Sequence, residues 1–294
     1  MNERYFLFGA GYSALAFARL LEGRPVAGTT RSPDRFAALE AAGVEPLLFD
    51  GAALSHAVRE RLAETTHVVV SAAPTAAGDP VLGTAAETIR TAMPALRWIG
   101  YLSTVGVYGD HGGAWVDEGS DCRPVSPRSR ERLDAERAWQ ALGAERGVPV
   151  AVLRLSGIYG PGQNALANLA AGTARRLVKP GQVFNRIHVD DIAGALRHLA
   201  ATDLGGVFNV TDDEPAPAQD VVLFAAGLMG VAPPPEIPFE AAQLSPMARS
   251  FYEENKRVAN RRLKATGFVF RHPDYRSALT AMWQSGEWRG NGRR

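Results

Sequence analysis

Residues 5–14, Tyr5-Phe6-Leu7-Phe8-Gly9-Ala10-Gly11-Tyr12-Ser13-Ala14, decide how the rest of the chain is read. Four apolar residues run straight into a G-x-G-x-x-A turn, and a helical pattern of Leu15, Phe17, Ala18, Leu20 and Leu21 follows. A strand, a tight glycine turn and a helix N-terminus make a cradle for a pyrophosphate, because free N–H groups and the positive end of the helix dipole meet the anion there. In that context Gly9 permits the turn and Gly11 lets the backbone approach the phosphates. Tyr12 and Ser13 open the helix, and Ala14 keeps it close to the strand.

Outward from this stretch, apolar runs alternate with helical patterns. Strands are expected at Val26–Thr30, Val44–Phe49, His67–Ser71, Trp98–Ser103 and Val150–Leu155. Helices are expected at Pro33–Ala42, Leu54–Leu62, Pro80–Met93 and Ser129–Glu145. Such alternation implies an α/β fold with a doubly wound parallel sheet, covered on both faces and binding ligands at the carboxyl ends of its strands. Beyond Ser156 the pattern loosens. Helices are expected at Ala165–Arg176, from Asp190, from Arg257 and at Tyr275–Trp283, with short strands at Val207–Val210 and Phe268–Phe270. Pro233–Pro235 reads as a rigid link. The expected layout is a nucleotide-binding core over residues 1–160 and a smaller C-terminal α/β lobe over 161–294, with segments around 182–210 returning to the core.

The 294 residues are 46% hydrophobic and 21% charged, with a net charge of +1, so no general field points to nucleic acid or membrane. Lys256, Arg257, Arg261, Arg262, Lys264, Arg271 and Arg276 fall in one stretch, read as a solvated face in preference to an RNA-binding one. Cys122 is the single cysteine, which excludes an internal disulfide and a cysteine-rich metal site; the scattered histidines suggest no metal either. No apolar run reaches membrane-spanning length and no signal-peptide pattern precedes the first strand, so a cytoplasmic protein is expected.

Four further motifs follow the glycine turn in order: Leu102-Ser103-Thr104-Val105-Gly106-Val107-Tyr108-Gly109, Leu153-Arg154-Leu155-Ser156-Gly157-Ile158-Tyr159-Gly160-Pro161-Gly162, Arg186-Ile187-His188-Val189-Asp190-Asp191-Ile192-Ala193 and Phe208-Asn209-Val210-Thr211-Asp212-Asp213-Glu214-Pro215. Together the five resemble the extended short-chain dehydrogenase/reductases, the NAD-dependent epimerase/dehydratase family. The resemblance implies a Rossmann core, a nicotinamide cofactor, and epimerase, dehydratase or reductase chemistry on a sugar nucleotide or another polar small molecule. It implies that Asp50 meets the adenine, that Ser71, Ala72 and Ala73 let the dinucleotide pass close to the backbone, and that Leu155 and Ser156 flank the nicotinamide. Where a reader of the NAD ribose carries an acid, this chain has Arg31, with Arg35 nearby. Guanidinium suits a 2′-phosphate, so NADP is expected over NAD.

The family's catalytic helix carries a Tyr and, four residues later, a Lys. The resemblance puts Arg128 and Arg132 at those positions and keeps Thr104 as the hydroxyl partner. Arg132 has the reach for the ribose. Guanidinium stays protonated at neutral pH, so Arg128 is suited to clamping a carboxylate or phosphate or to stabilising an oxyanion, and unsuited to proton exchange. Tyr108 and Tyr159 read as structural, Asp117-Glu118 as a capping or solvent-facing pair, and His188 with Asp190-Asp191 as a helix cap. Two functions stay open, an NADP-dependent enzyme and a non-catalytic NADP-binding sensor, with an RNA-associated role a distant third. A monomer is expected, or a homodimer through the helices Pro80–Met93 and Ser129–Glu145.

Overall fold

The computed structural model describes residues 3–290. Its centre is a seven-stranded sheet. β1 (Tyr5–Phe8), β2 (Val26–Thr30), β3 (Glu45–Leu48), β4 (His67–Val70) and β5 (Trp98–Thr104) pair in parallel. With the strands Val150–Leu155 and Gly206–Val210 the order is Gly206–Val210, Val150–Leu155, β5, β4, β1, β2, β3. Every residue of β1 and of Val150–Leu155 is buried, as an unalternating apolar run in a doubly covered parallel sheet requires.

Five helices follow the first five strands or join them: α1 (Tyr12–Arg19), α2 (Phe36–Glu40), α3 (His56–Glu64), α4 (Pro80–Thr91) and α5 (Pro127–Arg146). Each of α3, α4 and α5 starts on a side-chain cap: Ser55 accepts from Val58 N, Asp79 from Val81 N and Leu82 N, and Ser126 from Ser129 N. Proline at the first position of α4 and α5 removes an N–H that would have no partner. Asp79 also accepts from the buried Trp139 indole at 3.0 Å, joining α4 to α5. Phe6, Phe8, Val68, Ile89, Tyr101 and Trp139 belong to one continuous core.

The chain divides into two compact units. The first comprises residues 1–107, 124–154 and 192–208, the second 108–123, 155–191 and 209–294. Among the described residues the second unit has three two-stranded parallel ladders: Gly157–Tyr159 with Arg186–His188, Arg176–Val178 with Glu236–Pro238, and Trp115–Val116 with Arg257–Val258. Helices Ala165–Ala170, Ala218–Met229 and Tyr275–Ser285 enclose a core containing Tyr159, Leu166, Val221, Ala225, Tyr275 and Leu279. Among the described residues no helix is long and apolar enough to cross a membrane.

Three local expectations differ from the structure, and one helix was not expected at all. The helix expected to reach Arg176 stops at Ala170, where the amides of Ala171 and Gly172 turn back onto the carbonyls of Ala167 and Leu169. Arg257–Val258 is a strand: Val258 is buried and the edge of Trp115–Val116 offers it a ladder. Phe268 and Phe270 are buried around an exposed Val269, the alternation of a strand, yet residues 268–270 are irregular and not part of a strand. Helix Ala218–Met229 was not anticipated, because it is apolar on nearly every side and shows little 3.6-residue periodicity.

Candidate functional site

The turn after β1 is built around Gly9. Its φ is +83°, and a Cβ there would stand 2.9 Å from the Ala72 amide nitrogen, so only glycine fits. Gly9 N–H donates to Thr29 Oγ1 (2.9 Å) and Ala10 N–H to the Thr29 carbonyl (2.7 Å), which ties the turn to β2. The amides of Ser71 and Ala72, just past β4, both donate to the Phe8 carbonyl. Gly11 is the N-cap of α1 and has no side chain to occupy the first-turn amides. A Cβ on Gly11 would meet only the Gly9 carbonyl at 4.0 Å, so that face of the turn is open. Ala14 is fully buried and Ser13 nearly so, whereas Tyr12 is half-buried.

Arg31 and Arg35 follow β2 on the surface, and among the described residues neither guanidinium has a hydrogen-bond or ion-pair partner. Asp50 follows β3, exposed, with its carboxylate accepting from Ala52 N–H at 2.9 Å. Ser71 and Ala72 are half-buried and Ala73 exposed. Gly9, Gly11, Arg31, Asp50 and Ser71 thus all sit just beyond the carboxyl ends of adjacent parallel strands. Leu155 and Ser156 lie at the end of Val150–Leu155, both buried, with the Ser156 N–H donating to the Val210 carbonyl at 3.2 Å.

Thr104 ends β5, half-buried, its hydroxyl oxygen accepting from Gly106 N–H at 3.1 Å. A Cβ on Gly106 would stand 2.9 Å from Ser129 Oγ and 3.4 Å from Thr104 Oγ1. The first turn of α5 therefore packs directly on the turn after β5. Arg128, beside Ser129, is exposed and has no hydrogen-bond or ion-pair partner among the described residues. Arg132, one turn on, points back at the sheet: its Nη1 donates to the Leu102 carbonyl at 2.6 Å, and its guanidinium carbon lies 5.8 Å from the centre of the Tyr101 ring.

The alternative proton carriers are engaged elsewhere or enclosed. Tyr108 donates from its buried hydroxyl to Asn209 Oδ1 at 2.7 Å. Glu118 accepts from Asn209 N–H at 2.7 Å, and Asp117 closes a tight turn onto Gly119 and Ser120. Tyr159 is buried with a hydroxyl that has no partner among the described residues, and desolvation pushes its pKa well up. Single ligand atoms of His188, Asp190 and His272 lie within 4.8 Å of one another. His188 Nδ1 already accepts from Asp190 N–H, however, and the Arg271 guanidinium stands 3.6 Å from the Asp190 carboxylate. Asp191 accepts from the amides of Arg271 and His272. Burial and the neighbouring His272 push the His188 pKa down to about 4.

Sequence reasoning missed the polar residues that hold this arrangement. Glu136 on α5 pairs with Arg154 inside the core, and the Ser103 hydroxyl donates to the same carboxylate. The signal was present: an arginine within the apolar run Val150–Leu155 demands a buried partner. Which acid supplies it is not a local property.

A profile described as "NAD dependent epimerase/dehydratase family" matches residues 9–211. A solved structure of a functionally unknown conserved protein from Silicibacter pomeroyi DSS is 46% identical, with a TM-score of 0.87, covering 97% of this chain and 99% of that one. A putative NAD-dependent epimerase/dehydratase from Methylobacillus flagellatus is 26% identical, with a TM-score of 0.67, over 97% of this chain and 99% of that one. A 3-diazoavenalumate denitrifying reductase from a Streptomyces species is 32% identical over 142 residues, which span 44% of this chain and 45% of that relative's length. The matched profile covers the glycine turn, α5 and every strand of the central sheet after β1, and the chain belongs to the NAD-dependent epimerase/dehydratase family.

Proposed function

We propose that the chain binds NADP and acts as an epimerase-, dehydratase- or reductase-type oxidoreductase on a sugar nucleotide or another polar small molecule. The Gly9 turn carries this reading: a left-handed glycine packed on Ala72, followed by an uncapped helix start with open space at Gly11, fits a pyrophosphate. The family's description as NAD dependent supports a nicotinamide cofactor, which when bound supplies hydride transfer. The preference for the 2′-phosphate rests on Arg31 and Arg35, two exposed cations after β2, without an ion-pair partner among the described residues, where an acid would select NAD.

The residues of this chain have separable tasks. Thr104 orients a substrate oxygen, because its oxygen accepts from Gly106 and its own proton is left to donate. Arg128 holds a carboxylate, phosphate or developing oxyanion. Arg132 is fixed on the Leu102 carbonyl through Nη1 and offers its remaining N–H groups to the ribose. The reacting proton moves through water or the substrate.

A second reading, a non-catalytic NADP-binding sensor, is favoured by Arg128 alone, which cannot exchange a proton. The test is a paired titration with NADPH and NADH followed by nicotinamide fluorescence. NADPH binds more tightly, and Arg31→Ala weakens it by roughly tenfold while leaving NADH unchanged. Binding of neither would overturn the reading. Transfer of a 4-position label from NADPH to any carbonyl compound excludes the sensor.

A further inference from the structure

The second unit carries a cavity of about 390 Å3, open to solvent and lined by Phe184, Ala218, Ser245, Ala248, Phe251 and Tyr252, all from that unit. Among the described residues no acid, cation or amide side chain lines it. Phe184 stands on a fixed backbone. Its N–H donates to the Ala216 carbonyl at 3.0 Å, and its own carbonyl accepts from Ala216 N–H at 3.1 Å and from Arg186 Nη1 at 2.9 Å. The Phe184 ring meets the Tyr252 ring edge-on with centroids 5.0 Å apart, and Tyr252 stacks on Phe239 at 4.8 Å. Phe251 is 60% exposed, a ring left largely in water. Ser245 caps the helix Pro246–Ser250: its Oγ accepts from Ala248 N–H at 3.2 Å, and its own proton is left to donate. Arg249 and Lys179 are turned onto the Phe239 ring, the guanidinium carbon 5.0 Å and the ammonium nitrogen 5.3 Å from its centre, and neither lines the cavity.

A diphosphate placed here would give up water and find no countercharge, which is a poor exchange. An aromatic ring meets the opposite situation. It covers apolar surface that is otherwise wet, and the rings of Phe184 and Phe251 offer it faces and edges for offset or edge-on contact. The volume is that of a small-molecule site, and a ring on a locked backbone with one hydroxyl donor nearby sets the orientation of what binds. We propose that this cavity binds an uncharged aromatic small molecule, its ring against Phe184 and Phe251 and one polar substituent accepting from the Ser245 hydroxyl. The substrate of the oxidoreductase then has an aromatic body rather than a sugar nucleotide's; that second step rests on the oxidoreductase reading, and the binding itself does not.

Titration of the full chain with 2-naphthol, followed by its fluorescence anisotropy, tests the cavity, with uridine diphosphate glucose as the competitor. Saturable 2-naphthol binding that the sugar nucleotide does not displace is expected. Phe251→Ala removes an exposed ring, so that protein melts at the wild-type temperature, and it binds 2-naphthol roughly tenfold more weakly. Phe184→Leu keeps an apolar contact with Tyr252 but loses the ring, and weakens binding roughly fivefold. If that protein melts early, Phe251→Ala decides the matter. NADPH titrations on both variants are unchanged. Absence of 2-naphthol binding beside intact NADPH binding therefore counts against this cavity alone, and the reverse against the cofactor reading alone. No saturable binding at millimolar 2-naphthol, wild-type affinity in both variants, or displacement by the sugar nucleotide would overturn the proposal.

Discussion

Arg154 and Glu136 meet inside the core as a forked ion pair, with Nη2 2.8 Å from Oε2 and Nε 3.2 Å from both carboxylate oxygens. Arg154 comes from the strand Val150–Leu155 and Glu136 from α5, so the pair fixes the rotation and height of the helix that carries Arg128 and Arg132. With its two partners 7% and 2% exposed, the pair is nearly dry, and the Ser103 hydroxyl satisfies the carboxylate further.

Replacing Glu136 by Ala leaves a buried guanidinium without its countercharge. Urea unfolding should show a loss of about 3–5 kcal/mol, and the double replacement Glu136→Leu with Arg154→Met should recover most of it. A loss under about 1 kcal/mol would mean that water enters and solvates the arginine.

Gly9→Ala and Gly11→Ala separate folding from binding. At Gly9 the added methyl meets the Ala72 nitrogen at 2.9 Å with φ at +83°, so stability falls by about 1–3 kcal/mol and NADPH binding is lost. At Gly11 the methyl enters open space. That protein unfolds at the wild-type urea concentration yet binds NADPH at least roughly tenfold more weakly. Wild-type affinity in Gly11→Ala would remove the pyrophosphate from this turn.

Reversing the charge at Arg31 probes cofactor choice. Arg31→Asp should weaken NADPH by roughly tenfold or more and strengthen NADH, because a carboxylate repels the 2′-phosphate and accepts from a 2′-hydroxyl. An unchanged ratio of the two dissociation constants would place the selecting group elsewhere.

Asp212 makes stability depend on pH in an unusual direction for a carboxylic acid. Burial raises its pKa to about 8, from an ordinary 3.8. Between those values the native state keeps a proton that the unfolded chain has lost, so stability falls as pH rises from about 4 to about 8 and is level above. His188, pushed down to about 4 from 6.5, acts in the opposite sense, losing stability as pH falls through that lower window. Asp212→Asn isolates the first effect: thermal melts of the variant should match the wild type near pH 4 and exceed it near pH 8. Parallel melting curves across the range would mean an ordinary carboxylate.

The glycine turn after β1 was legible because all of it is local. Gly9, Gly11 and Ala14 are consecutive in one strand–turn–helix unit whose geometry follows from residue type. The central strands were legible for a related reason, since a buried parallel strand is an unbroken apolar run. The second unit was harder. Tyr159 and Arg186 come from adjacent short strands and Tyr275 from the last helix, and nothing in the spacing says that the Arg186 guanidinium lies 5.9 Å from the centre of the Tyr275 ring. Arg257–Val258 is a strand only because Trp115–Val116 presents an edge to it, which is a tertiary fact.

The first unit is assembled from three separated stretches, and its sheet ends with Gly206–Val210 beside Val150–Leu155. During synthesis the strand Val150–Leu155, buried along its whole length in the finished protein, therefore waits with one side unpaired until some fifty further residues have emerged. A chain halted near residue 160 would display an apolar sheet edge, the kind of template on which other copies stack. The segment that closes the first unit also guards it against aggregation, so truncation should be far less forgiving here than the placement of the glycine turn in the first strand–helix unit suggests.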